Sequence, residues 1–130
     1  METNRTLVER YGLPPQEIER RSFQIIEGLL PPGAWPAAER RVVARIVHAA
    51  GDPDLARWVR LHPRAVEAAI AALKAGRPIF TDVRMVAVGV SRPLLRHFGC
   101  EVVCAIDDPQ VAAQAEAEGT TRAIAAMSLF

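Results

Sequence analysis

Pro78-Ile79-Phe80-Thr81-Asp82 is a short apolar run that ends in an acid. That is the pattern of a strand buried in a parallel sheet. Its counterpart is Glu101-Val102-Val103-Cys104-Ala105-Ile106. The residues between and after these runs read as helices. Val83 to Val88 is ambiguous by periodicity alone, but the strand ends at Asp82 and Gly89 reads as a stop, so a helix is expected. Pro93 to Phe98 is a second short helix, stopped by Gly99. Asp108-Pro109 caps and starts a helix through Glu118, with Gly119 behind it, and Thr120 is expected to cap a last helix from Arg122 to Leu129. Strand, helix, strand, helix implies a parallel sheet in an α/β fold. Two parallel strands do not make a stable sheet, so further strands are expected from residues beyond Phe130 or from another chain.

The first half reads as helical throughout. Pro14-Pro15 opens a helix to about Glu27, with Ile18, Phe23, Ile25 and Ile26 as candidates for burial, and Pro31-Pro32-Gly33 ends it. Pro36 suits the first turn of the next helix. There Val42, Val43, Ile46, Val47 and Ala50 form an apolar stripe, which puts Arg41, Arg45, His48 and Asp52 on the opposite face. Gly51 stops that helix, and Asp52-Pro53 and His62-Pro63 start the following ones. Arg64 to Ala75 carries Val66, Ala69, Ile70 and Leu73 at helical spacing and stops at Gly76.

A chain of 130 residues fits one domain, taken as 1–130. Half the residues are hydrophobic and the net charge is +1, so no global field favours nucleic acid or a membrane. The basic residues are fifteen arginines and one lysine, Lys74. Codon bias or heat adaptation accounts for that, but arginine is also the bidentate carboxylate binder. Met1 to Arg10 is polar, with no apolar signal segment, and no stretch spans a bilayer, so a cytoplasmic protein is expected. Cys100 and Cys104, if on one strand, lie roughly 13 Å apart, too far for a disulfide. They read as small core residues, and no metal site is expected.

His48 is the side chain best suited to moving a proton near neutral pH. Set against that is an ordinary exposed helical histidine. Arg45 lies one turn before it, where it would attract a carboxylate or simply face solvent. Ser22 sits mid-helix, where serine often bonds the preceding turn. Arg122 falls in the first turn of its helix, where guanidinium, N–H groups and dipole favour an anion. Asp82, Asp107 and Asp108 end the two strands, where paired acids could hold Mg²⁺ for receiver-like phosphoryl transfer. Against this, the only lysine precedes the first strand, and Asp108 has a role as a helix cap. No glycine-rich phosphate loop is present.

Several segments, in order, resemble one family. They are Ile18-Glu19-Arg20-Arg21-Ser22-Phe23-Gln24-Ile25-Ile26, then Arg45 to Pro53, then Ala75 to Val86, Cys104 to Pro109, and Gly119-Thr120-Thr121-Arg122-Ala123. Together they resemble the precorrin-8X (cobalt-precorrin-8) methylmutases from Tyr11 onward. The resemblance implies a flavodoxin-like three-layer α/β/α fold, in homodimers with the active site near the interface. It implies an isomerase of cobalamin biosynthesis that needs no cofactor. The reaction moves a methyl group between adjacent carbons of one corrinoid ring to give hydrogenobyrinic acid or its cobalt counterpart. The family's catalytic histidine matches His48, its substrate-contacting serine and arginine match Ser22 and Arg45, and the arginine of its Gly-x-Thr-Arg turn matches Arg122. Family members continue into a glycine-rich C-terminal portion, so this chain is expected to be an N-terminal portion. A non-catalytic corrinoid-binding module is the alternative, in which the arginines act and His48 does not.

Overall fold

Prolines and glycines punctuate the chain as the sequence suggests, and the computed structural model describes residues 12–130. They belong to two compact units, one ending at Val66 and one over Glu67–Phe130. No helix among the described residues is long and apolar enough to cross a membrane.

The first unit is helical. Helix α1 (Pro15–Leu29) begins with proline at its first position and an acid, Glu17, in its first turn. Helix α2 (Ala37–Ala50) ends on Gly51. Asp52 then caps a 3-10 helix over Pro53–Trp58, its side chain accepting from the Asp54 N–H at 2.9 Å. The core of the unit is Ile26, Leu30, Val43, Ala44, Val47 and Ala56, with Phe23 packed against it.

Two expected faces are rotated. On α2 the buried residues are Val43, Ala44 and Val47, while Ile46 and Ala50 are exposed. His48 consequently lies about a quarter turn from the centre of the buried face rather than opposite it. On α1 only Ile26 is buried, and Ile18 and Ile25 stay 53% and 63% exposed. Helix α2 covers one side of α1, and among the described residues no helix of this unit covers the Ile18–Ile25 side.

Arg40 fastens the end of α1. Its guanidinium donates to the Glu27 carboxylate at 2.6 Å and to the carbonyls of Pro31 at 2.8 Å, Glu27 at 2.9 Å and Leu30 at 3.3 Å. Helix α1 has no basic residue in its last turn. Arg40 supplies from α2 the donors that the terminal carbonyls lack.

The second unit contains both expected strands, in shorter form. Its elements are α3 (Ala65–Lys74), β1 (Ile79–Thr81), α4 (Arg84–Gly89), α5 (Arg92–Phe98), β2 (Val102–Cys104), α6 (Pro109–Glu118) and α7 (Arg122–Ser128). The strands pair in parallel, Ile79 with Val102, Phe80 with Val103 and Thr81 with Cys104. The fold is thus α/β, mostly helical with a small two-stranded parallel sheet. Val111, Ala115, Ala125 and Ala126 form the core where α6 meets α7. Gly76 has φ +65°, and a Cβ there would sit 3.2 Å from the Gly99 carbonyl oxygen, so both conformation and space call for glycine. Helix α3 buries no residue, and Ile70 is 46% exposed despite its amphipathic pattern.

Two local expectations change. Cys100 precedes β2 instead of sharing it with Cys104, and both thiols are free. The Cys100 thiol donates to the Leu73 carbonyl at 3.4 Å. The cap of α7 is Thr121, not Thr120: its hydroxyl accepts from the Ile124 N–H at 3.2 Å. Thr120 is used to close the previous helix, its N–H donating to the Ala115 carbonyl at 2.9 Å. Thr121→Ala is expected to cost about 1 kcal/mol of stability, read from the unfolding midpoint in urea. Thr120→Ala, which leaves that backbone bond intact, is expected to cost clearly less.

Candidate functional site

Spacing on α1 places Ile18, Ser22, Ile25 and Leu29 on one side of the helix, because steps of three and four residues return to the same face. That side forms a wall of a 420 Å³ groove in the first unit, with Val47 and His48 contributed by α2. Arg21 also lines it, and most of the remaining lining is apolar.

Within the groove, Ser22 Oγ lies 2.9 Å from His48 Nδ1. The Phe23 ring stacks on the imidazole with centroids 4.6 Å apart and 21° between planes. Two residues adjacent on α1 thus hold the ring, one in its plane and one on its face. A hydroxyl that donates to Nδ1 leaves the ring proton on Nε2. When the ring takes a second proton, the same contact reverses, with Nδ1–H donating to Oγ. Ser22 can serve both forms because a hydroxyl is donor and acceptor. The arrangement suits a histidine that gives and takes a proton through Nε2.

Arg45 does not line this groove. Its guanidinium sits over Phe23 at 4.6 Å and donates to Glu19 at 2.9 Å, beside a neighbouring 620 Å³ depression. That depression is larger, but its charged side chains are already paired, Arg45 with Glu19, Glu27 with Arg40 and Arg20 with Glu17. Glu17 accepts from Arg20 Nε at 2.8 Å and Nη2 at 2.6 Å, and from Arg21 Nε at 2.9 Å. Arg20 first, then Arg21, hold the Glu17 carboxyl down at about 2, so it stays charged until the solution is strongly acidic.

Arg122 belongs to the second unit, exposed at the first position of α7. Thr121 takes one N–H of that helix start, that of Ile124. Of the acids at the strand ends, Asp82 is exposed and the two after β2 are engaged elsewhere. Asp107 pairs with Arg84, and Asp108 caps α6 by accepting from the Gln110 N–H at 2.8 Å. Among the described residues no three metal-ligating side chains come together.

The structure therefore unites Ser22 and His48, sets Arg45 beside them across Phe23, and places Arg122 in the other unit. Sequence reading missed Phe23 as the support of His48, and it missed Arg21. Arg21 carries a readable signal: it lies three residues from Ile18 and four from Ile25, on the face that holds Ser22.

Comparison with known proteins gives a consistent result. The family model CbiC, precorrin-8X methylmutase, matches residues 17–130. A cobalt-precorrin-8 methylmutase of Leptospira interrogans is 38% identical over 109 residues, covering 84% of this chain and 50% of the relative. A precorrin-8X methylmutase of a Sinorhizobium species is 41% identical over 113 residues, covering 87% and 53%. Among solved structures, a precorrin-8X methylmutase from Thermus thermophilus superposes with a TM-score of 0.74 at 39% identity, covering 88% of this chain and 54% of that one. The chain spans about half the length of the curated relatives it matches.

Proposed function

The chain belongs to the precorrin-8X methylmutase family, and from that premise we propose that it acts in cobalamin biosynthesis as an isomerase that moves a methyl group within a ring of precorrin-8X or cobalt-precorrin-8. The single observation that carries this reading is the Ser22–His48 pair at 2.9 Å on the wall of an apolar groove. A tetrapyrrole of this kind has a broad apolar ring and a rim of carboxylates. Ile18, Ile25 and Leu29 offer an apolar surface for the ring.

His48 is the catalytic residue in this reading. In its imidazolium form, with Nδ1–H donating to Ser22 Oγ, it passes its Nε2 proton to the conjugated system of the substrate. The methyl group then moves, with its bonding electrons, to the adjacent electron-poor carbon. Return of the proton to His48 completes an isomerisation with no net gain or loss of atoms, and no cofactor enters the balance. Ser22 holds the imidazole. Arg45 binds a rim carboxylate by exchanging its Glu19 partner, and Arg122 binds another through its guanidinium.

The same reading makes residues 1–130 an N-terminal portion of one flavodoxin-like domain, with further strands drawn from the rest of the family's length. The two-stranded sheet and the half-length coverage support this. It places the protein in the cytoplasm as a homodimer with the groove near the interface. The exposure of Ile25 and Leu29 beside the groove, 63% and 57%, fits that arrangement.

Titration with hydrogenobyrinic acid, the product, tests the reading through the visible absorption of the tetrapyrrole. A saturable spectral change is expected, weakened about tenfold or more by Arg122→Ala. Absence of any saturable change with the parent protein contradicts it.

A further inference from the structure

Arg20 and Arg21 share one carboxylate unequally. Arg20 spends two nitrogens, Nε and Nη2, on Glu17. Arg21 spends only Nε, at 2.9 Å. Its side chain is 56% exposed, and both terminal nitrogens are left without a partner among the described residues. The two arginines also divide between the two sides of α1. Arg20 lines the larger depression, and Arg21 lines the groove that holds Ser22 and His48.

One carboxylate between two guanidinium groups leaves a surplus positive charge. The unused donors that carry it are those of Arg21, at the groove. Around them the lining is mostly apolar, with Ile18 and Ile25 flanking Arg21 on α1. A cation at the edge of an apolar surface selects a ligand with an apolar body and an anionic arm.

We propose that Arg21 is a carboxylate-binding residue of the groove, its two terminal nitrogens taking a peripheral carboxylate of a ligand whose ring lies on Ile18, Ile25 and Leu29. The inference rests on reading the groove as a corrinoid site and adds to that site a specificity-determining residue. Glu17 is the positioning residue for this contact. It holds the Nε side of the guanidinium and so aims the Nη edge outward. Its carboxyl, held at about 2, keeps that grip through mild acid.

The test compares hydrogenobyrinic acid with its fully esterified form, binding each to the parent chain, Arg21→Ala and Arg41→Ala. Arg41 is an exposed arginine of α2 that does not line the groove. Arg21→Ala is expected to weaken binding of the acid about fivefold to tenfold, the effect of one partly exposed charge-assisted contact. The ester, which has no carboxylate to lose, is expected to bind the parent and Arg21→Ala alike. Arg41→Ala is expected to change either ligand less than about twofold. Equal weakening of acid and ester by Arg21→Ala overturns the assignment, because it marks lost packing. Acid affinity unchanged in Arg21→Ala, or reduced as much in Arg41→Ala, overturns it as well. A parent that binds neither ligand overturns the corrinoid reading together with this one, whereas a parent that binds the acid leaves Arg21 to be judged by its own variant.

Discussion

Replacing His48 with alanine is expected to cost at least about 10²-fold in turnover of the methyl migration, the lower end for a general acid. Affinity for hydrogenobyrinic acid is expected to change far less, because a proton donor acts mainly in the transition state. The geometry accounts for the asymmetry. His48 Nδ1 is tied to Ser22 at 2.9 Å, and its face is covered by Phe23 at 4.6 Å. Nε2 is therefore the atom left for chemistry, while the ring adds little to an apolar wall that Ile18, Ile25 and Leu29 already provide. Single-turnover rates with precorrin-8X, read from the product's absorption, check the rate, and equilibrium titration checks the affinity. Near-parental turnover in His48→Ala removes histidine from the mechanism. It leaves the groove as a site that binds a corrinoid without protonating it.

The largest effect on stability is expected at Arg40. Arg40→Ala is expected to lose about 2–4 kcal/mol, since it removes several hydrogen bonds to a charged donor and leaves helix-end carbonyls without partners. The Arg40 side chain is only 20% exposed, so water replaces those bonds poorly. The Glu27 partner is 46% exposed, and its share of the loss is correspondingly small. Arg40→Lys is expected to recover only part, because an ammonium cannot span the Glu27 carboxylate and the carbonyls of Glu27, Leu30 and Pro31 together. Urea unfolding of the three proteins measures this. A loss below about 0.5 kcal/mol for Arg40→Ala, within the range of ordinary surface substitutions, contradicts the role.

Local chemistry made most of the elements legible. Both strands read correctly from short apolar runs ending near Asp82 and Asp107. Asp52 and Asp108 were legible as caps because an aspartate before proline both accepts N–H groups and meets a residue already set for the first turn. Helix rotation was not legible. Val42 to Ala50 offers more apolar residues than one neighbouring helix can cover, and packing against α1 and the 3-10 helix buries Val43, Ala44 and Val47. That packing moved His48 to the edge of the contact, beside Phe23 and Ser22, which are separated from it by more than a helix in sequence. The place of Arg45 on α2 left it open to a carboxylate or to solvent. Glu19, also on α1, holds it at 2.9 Å, an interaction that spacing along α2 cannot reveal. Arg40 escaped notice for the same reason, since its partners lie at the end of a different helix.

The central claim is that His48 meets the corrinoid through Nε2 while Ser22 holds Nδ1. Nitrogen NMR of the protein labelled in its histidine rings reads both atoms directly, with and without hydrogenobyrinic acid. The account expects the free protein to carry the ring proton on Nε2, and saturating ligand to shift the His48 Nε2 resonance. Ser22→Ala is expected to lose that tautomer preference while His62 and His97 keep their signals. Saturating ligand that leaves both His48 nitrogens unchanged, with binding confirmed by absorption in the same sample, contradicts the claim.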